Sequence, residues 1–297
     1  KTEKIILFIF FIYMNCFSQT DLLYDIDDEV NTEFTISAFK AHKIINNQST
    51  KQSNKGELYL YVSHRFGTVK DGISTLFGLD YANTKIELMY GLNENIQFGI
   101  SRESLKKIYS SSFKFKILEQ SSAFPISISN YSSFNYNSSS FFAQGEDVSF
   151  SDRSIIFTQF LFSTALSEKF SLQISPSIAV RNYNDIIPVF ENGEILFISY
   201  EQKENYTVSF GSRYKLNSRT SLNFEYNHYV NRLEISPFKD VLSIGIDIET
   251  GGHVFQLHLS NSPAMIEPLF ITNSLGSWIN GDIYFGFNIS RVFLIKK

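Results

Sequence analysis

From Leu242 the chain alternates strictly: Leu242, Ile244, Ile246 and Ile248 are apolar, and Ser243, Gly245, Asp247 and Glu249 between them are not. Thr250-Gly251-Gly252 breaks the pattern, which resumes with Phe255, Leu257 and Leu259 against Gln256, His258 and Ser260. A period of two with a glycine-rich break predicts a β-hairpin with one apolar and one polar face. The same reading from Gly56 onward predicts twelve strands, at about 56–66, 82–92, 95–102, 110–118, 123–132, 153–166, 169–181, 204–214, 219–229, 240–249, 253–261 and 281–293. Upstream, one short strand is expected over Phe34–Lys40, and residues 46–55, which include no apolar side chain, read as a loop.

The connections and the mid-strand charges decide which face is inside. Short turns are expected at Asn93-Glu94, Glu119–Ser122, Ser167-Glu168, Lys215–Ser218 and Thr250–Gly252. Long connections are expected at 67–81, 103–109, 133–152, 182–203, 230–239 and 262–280. Outer-membrane barrels alternate in this way, with short periplasmic turns and long outer loops. Lys85, Glu87, Lys114 and Lys116 fall opposite Ile86, Leu88, Phe113 and Phe115. An unpaired charge is costly in a dry core and tolerable in a polar lumen. The apolar face therefore points outward, to lipid. The expected fold is all-β: an antiparallel transmembrane β-barrel of about twelve strands. Two residues fit less well. Pro176 lacks a ladder donor and predicts a bulge or local break. Arg291 takes an outward position, close enough to the strand end for its side chain to reach the headgroups.

Composition narrows the class. The 297 residues carry a net charge of −4 with no basic cluster, which argues against a nucleic-acid partner. Lys1 and Lys4 precede an apolar run from Ile5 to Met14, the form of a secretory signal peptide, with cleavage expected after Ser18. The organisation expected is a signal peptide at 1–18, an N-terminal periplasmic segment or plug at 19–55, and a barrel at 56–297. Cys16, the sole cysteine, falls in the leader, so no disulfide or thiolate metal site is expected in the mature chain; a lipid-attached Cys16 is the alternative.

The stretches "FKAHKIIN" (39–46), "GELYLYVSHRFG" (56–67), "DGISTLFGLDYA" (71–82), "GGHVFQLHLSNSPAMIEPLFI" and "GDIYFGFNISRVF" resemble a Bacteroidota family of outer-membrane β-barrels, domain of unknown function 5777. The resemblance runs from about residue 34 to 293 and is weakest over 133–205. It implies a barrel and an outer-membrane location, and no reaction or site residue.

Candidate chemistry is confined to the inward face. Glu57, Arg65, Lys85, Glu87, Lys114, Lys116, Arg213, Glu225, Asp247, Glu249, His258 and Asp282 are expected to line the lumen. Cations on the second and fourth strands face acids on the ninth, tenth and twelfth. Across an open lumen they would set up a transverse field; across a narrow one they would meet as ion pairs and plug it. His258 and Ser260 share this face, with Asp282 or Asn288 nearby, the elements a lipid hydrolase would need. The other histidines (His42, His64, His228 and His253) show no metal-ligand spacing, and no metal or cofactor is expected. The connection "SPAMIEPLFITNSLGSW" is unusually apolar for an outer loop. It would fold into the barrel mouth, contact lipid, or bind a hydrophobic ligand.

These features point to a non-enzymatic outer-membrane barrel of a Gram-negative bacterium, a small channel or transporter or a structural component of the envelope. Its expected partners are outer-membrane lipid and a small solute or an envelope protein. An outer-membrane lipid-acting hydrolase and a secreted soluble β protein are the alternatives.

Overall fold

A computed structural model of the protein describes residues 37–139, 149–182, 186–191, 194–199, 202–234 and 236–295. The expected leader and the acidic stretch after it lie outside these residues. Twelve strands close a barrel: β1 (Glu57–Thr68), β2 (Ala82–Asn93), β3 (Ile96–Glu103), β4 (Ile108–Leu118), β5 (Ser127–Asn137), β6 (Ser154–Ala165), β7 (Phe170–Arg181), β10 (Glu204–Lys215), β11 (Thr220–Tyr229), β12 (Val241–Thr250), β13 (His253–Ser260) and β14 (Tyr284–Leu294). The connection between β7 and β10 carries a separate hairpin, β8 (Ile186–Glu191) and β9 (Glu194–Ser199). Barrel neighbours pair antiparallel, and β1 meets β14 with Tyr61 opposite Ser290, so no edge is left to aggregate.

Alternation sets the two faces. Phe224 is 43% exposed and its neighbour Glu225 is 0% exposed; Ile244 is 42% exposed and Ser243 is 0% exposed. A wall that turns Phe224 and Ile244 outward and buries Glu225 and Ser243 is inside-out for water and correct for lipid. The soluble alternative fails on this inversion.

The structure moves several expected boundaries. Residues 37–40 form no strand, so the short strand expected over Phe34–Lys40 is not formed in its described part. The fifth strand runs from Ser127 to Asn137, several residues later than expected. Pro125 keeps 123–126 out of the ladder, and its carbonyl accepts from the Thr164 hydroxyl (2.7 Å) in the turn. The polar run 133–137 is a strand because Ser133 and Asn135 face the lumen, while Phe134 faces lipid. The connection expected at 103–109 shrinks to 104–107, and the turn expected at Glu119–Ser122 grows to 119–126, so the alternation of lengths is looser than the sequence suggests. Pro176 points outward and leaves a gap in the β6–β7 ladder near Phe160 and Leu161 without shifting the register, a local break and no bulge. Arg291 points outward, with its guanidinium over the Phe293 ring.

Candidate functional site

The lumen is filled by chain from both ends of the barrel. From the short-turn end, residues 37–55 enter, turn and return to start β1. Ala38, Phe39 and Ile44 pack together against Ala165 near the entrance. The inserted loop is tied at its base: the Ser49 amide donates to the His42 carbonyl (2.8 Å), and the Ser49 hydroxyl donates to Ala41 (2.5 Å). At the turn the Ile44 amide donates to the Asn47 carbonyl (2.9 Å). This curvature points three successive amides the same way, and they converge on one carboxylate. Ile45, Asn46 and Asn47 donate to Glu225 Oε1 at 2.7, 3.0 and 2.9 Å. Successive amides in a turn form an anion-binding concavity, and here the anion is a barrel side chain.

The rest of the loop is matched group by group. Lys114 donates to the carbonyls of Ser49 and Lys51, both at 3.1 Å. Arg65 reaches Asn46 Oδ1 (2.6 Å), Asn288 donates to the Ile45 carbonyl (2.9 Å), and Gln173 donates to the Gln48 carbonyl (2.7 Å). Gln256 bridges the Ile44 carbonyl and Asp247, both at 2.9 Å, and accepts from the Tyr61 hydroxyl. Room is made by glycine: a Cβ at Gly211 would collide with the side-chain tip of Ile44.

From the long-connection end, the connection 261–283 sends residues 264–272 inward, and these carry the short helix α1 (Glu267–Thr272). Ala264, Ile266, Leu269, Phe270 and Ile271 pack against an apolar patch of the lumen wall made by Ile108, Tyr131, Phe157, Leu161 and Ala179. Glu103 accepts from the Met265 amide (2.6 Å), and Arg181 holds Asn273 (2.8 Å) and the Thr272 hydroxyl. The two insertions touch: Gln48 donates to Glu267 (2.9 Å), and Lys43 lies 3.9 Å from Glu267 and 3.1 Å from Glu87, which also pairs with Lys85 at 3.2 Å.

The twelve residues expected to line the lumen therefore divide by position. Arg65, Lys85, Glu87, Lys114, Arg213, Glu225, Asp247 and His258 are buried inside. Lys116, paired with Glu119 (3.0 Å), Glu57, bonded by the Asn54 amide (2.8 Å), and Glu249, paired with Lys40 (2.8 Å), sit at the short-turn rim. Asp282 is at the opposite mouth with Lys70 (3.0 Å). The opposed walls do not meet as pairs: Lys114 and Glu225 each grip the inserted backbone instead. Residues 43–49, Gln97, Gln173, Gln256, Glu103, Arg181 and Glu267 were not singled out from the sequence. An acid within the apolar "AMIEPLF" and the inward apolar pair Phe157 and Leu161 were the available signals for the second insertion.

The hydrolase set is not assembled. The Ser260 hydroxyl accepts from Ser243 (2.9 Å) and from the Ser262 amide (3.2 Å). His258 finds no hydrogen-bond partner for either ring nitrogen, Asn288 is committed to Ile45, and Asp282 lies at the mouth. Among the described residues no three His, Cys, Asp or Glu side chains are grouped to hold a metal.

Comparison with solved structures returns other barrels at very low sequence identity. The KdgM porin is 6% identical, with a TM-score of 0.47 over 80% of this chain and 99% of that one. The Acinetobacter baumannii outer membrane protein Omp33 is 8% identical, with a TM-score of 0.40 over 82% of this chain and 100% of that one. LpxR from Salmonella typhimurium is 10% identical, with a TM-score of 0.36 over 80% of this chain and 99% of that one. Similarity at this level bears on neither solute nor reaction. No curated protein matches the chain. The sequence model of one family, however, matches residues 39–293, and with that span, the closed barrel and the lipid-facing apolar band, the chain belongs to the membrane bound beta barrel domain family (DUF5777).

Proposed function

We propose that the protein is a non-enzymatic barrel of a Gram-negative outer membrane that serves as a gated small channel or transporter, closed at rest, with its short turns in the periplasm. The observation that carries this reading is the grip of Glu225 and Lys114 on the backbone of residues 45–51. Each of these hydrogen bonds can be exchanged for one to water when the loop leaves, so the net cost of withdrawing it is smaller than the number of bonds suggests. The second insertion is different in kind, because its apolar packing against Phe157 and Leu161 favours staying in place. A movable polar plug beside a fixed apolar one suits a passage opened from the periplasmic side. A purely structural role in the envelope is the second reading, since a filled lumen also braces a barrel.

Planar-bilayer conductance separates them. The unmodified protein is expected to stay closed. Glu225→Gln with Lys114→Met is expected to raise the frequency of openings by roughly tenfold or more, since each lost bond to a charged group is worth about 1.5–3 kcal/mol. A double variant that assembles as a barrel yet conducts no more than the parent would favour the structural role. A large, stable conductance in the parent would overturn closure at rest.

A further inference from the structure

On the outward face of the barrel, toward the long-connection end of β2–β5, lies a hollow of about 500 Å³ bordered by Ile86, Ile100, Arg102, Tyr109, Ser111 and Phe134. The sequence makes the gap. Ile100, Ser111 and Phe134 stand in one row across β3, β4 and β5, and the small Ser111 leaves open the space between its two larger neighbours. Phe150, from the connection after β5, stacks on Phe134 and Tyr136 with ring centroids 5.9 and 5.0 Å apart and steadies the far wall. The apolar floor is continuous with the lipid-facing band, so acyl chains reach it.

Arg102 distinguishes this hollow. Two others on the lipid face, of about 460 and 530 Å³, are bordered by Leu172, Phe210 and Phe224 and by Ile244, Ile246 and Leu257, and neither has a lysine or arginine in its lining. Arg102 is exposed on the same face as Ile100 and stands one residue before the end of β3. Tyr109 lies opposite it on β4, and Tyr136 opposite Tyr109 on β5. Tyrosines gather where a barrel leaves hydrocarbon for the headgroups, so the guanidinium sits at headgroup depth with Ile100 one step deeper. It lies over the Tyr109 ring (5.6 Å) and, among the described residues, meets no carboxylate. Contact with a ring face leaves the in-plane N–H donors for another acceptor, and their fork matches a phosphate. An interfacial arginine alone reaches the headgroups without holding any one lipid. A trough for a chain beside the cation adds a second point of attachment.

We propose that this hollow is a binding site for one phosphate-bearing lipid of the surrounding leaflet. An acyl chain lies over Ser111 between Ile100 and Phe134, and the phosphate takes the Arg102 guanidinium beside Tyr109 and Tyr136. The site is on the outer wall, so it is complete with the lumen closed and does not depend on passage through the barrel.

The full chain in nonionic detergent micelles is mixed with dimyristoyl phosphatidate or with dimyristoylglycerol, and the lipids retained per barrel are counted by native mass spectrometry. One phosphatidate is expected to be held about tenfold tighter than any further copy, and about tenfold tighter than the diacylglycerol. Arg102→Gln should weaken the phosphatidate about tenfold and leave the diacylglycerol unchanged. Ser111→Phe, which fills the trough, should weaken both about tenfold. A graded series of phosphatidates with no distinct first copy would overturn the site, and so would a distinct first copy untouched by either substitution. A first copy lost in Arg102→Gln but kept in Ser111→Phe would overturn the trough. Diacylglycerol held as tightly as phosphatidate would overturn the phosphate head. The comparison of the two lipids on the unmodified chain decides the matter even if a variant fails to assemble.

Discussion

Glu225 shows how much one side chain organises here. A carboxylate shut away from water needs donors for its oxygens, and three amides of the inserted loop supply them. Glu225→Ala leaves those amides unpaired inside the barrel. The expected cost is about 1–3 kcal/mol for each amide that finds no other partner, taken from the docking of residues 41–49 and read as new protease cleavage there while the barrel stays intact. Two substitutions on β12 make the sidedness testable. Ile246→Asp puts a charge against hydrocarbon at about 2 kcal/mol or more and should reduce assembly into bilayers. Ser243→Asp faces the lumen, and from the sequence it is expected to be far milder. The structure changes that expectation, because Ser243 accepts from Asn46 (2.9 Å) and donates to Ser260 (2.9 Å) with no exposure. It should assemble and yet release the loop, so the two variants differ in which assay fails. Equal assembly of both, with the loop equally protected, would contradict the assignment.

At the scale of elements, strands were legible and insertions were not. Phe113, Lys114, Phe115 and Lys116 display their faces because a strand's period is two and lipid selects one side. The partner of Lys114 is a pair of carbonyls in "NNQSTKQSNK", and backbone groups leave no mark on sequence. That stretch has no apolar period, so it reads as a loop whether it hangs in water or fills a barrel. The apolar loop at 263–278 did carry a signal, and of the three fates open to it the structure selects folding into the mouth. The fifth strand was misplaced because Ser and Asn count as turn residues in water, although in a lumen they are ordinary inward positions. Among the connections, 230–240 is held by Asp240. Its carboxyl accepts from His228 (2.9 Å), Tyr226 (2.7 Å), the Tyr229 amide (3.2 Å) and Arg232 (2.7 Å). Partial burial pushes its pKa up, but these bonds and the Arg232 charge outweigh it and hold it below the usual carboxylate range. A depressed pKa contributes stability that is complete above the unfolded value, about 3.9, and is lost as pH falls through the folded one. The loop should therefore stay protected from proteolysis at pH 5 and loosen only below about 4. In Asp240→Asn that acid step should vanish, and an unchanged step would place its origin elsewhere.

For the whole molecule, the contact between Gln48 and Glu267 joins residues 219 apart in sequence. One precedes the first barrel strand and the other precedes the last. The interior is thus furnished by the segments that precede the first and the last barrel strands, together with the inward side chains of the wall that receive them. Contacts so distant in sequence are reached late and slowly. During insertion, a sheet with its β1–β14 seam still open must hold Glu87, Lys114 and Glu225 in water, and they lose that water only as the seam shuts. Closing the cylinder and drying its interior are then one event. Refolding into vesicles should show the amides of residues 44–47 gaining hydrogen-exchange protection together with those of the seam; protection of the seam alone, with the interior lagging, would separate the two. A chain cut short before β14 should remain an unsealed sheet with a wet, charged face. Such a sheet has no stable place in a bilayer, so completion of the last strand is a condition for residence in the membrane.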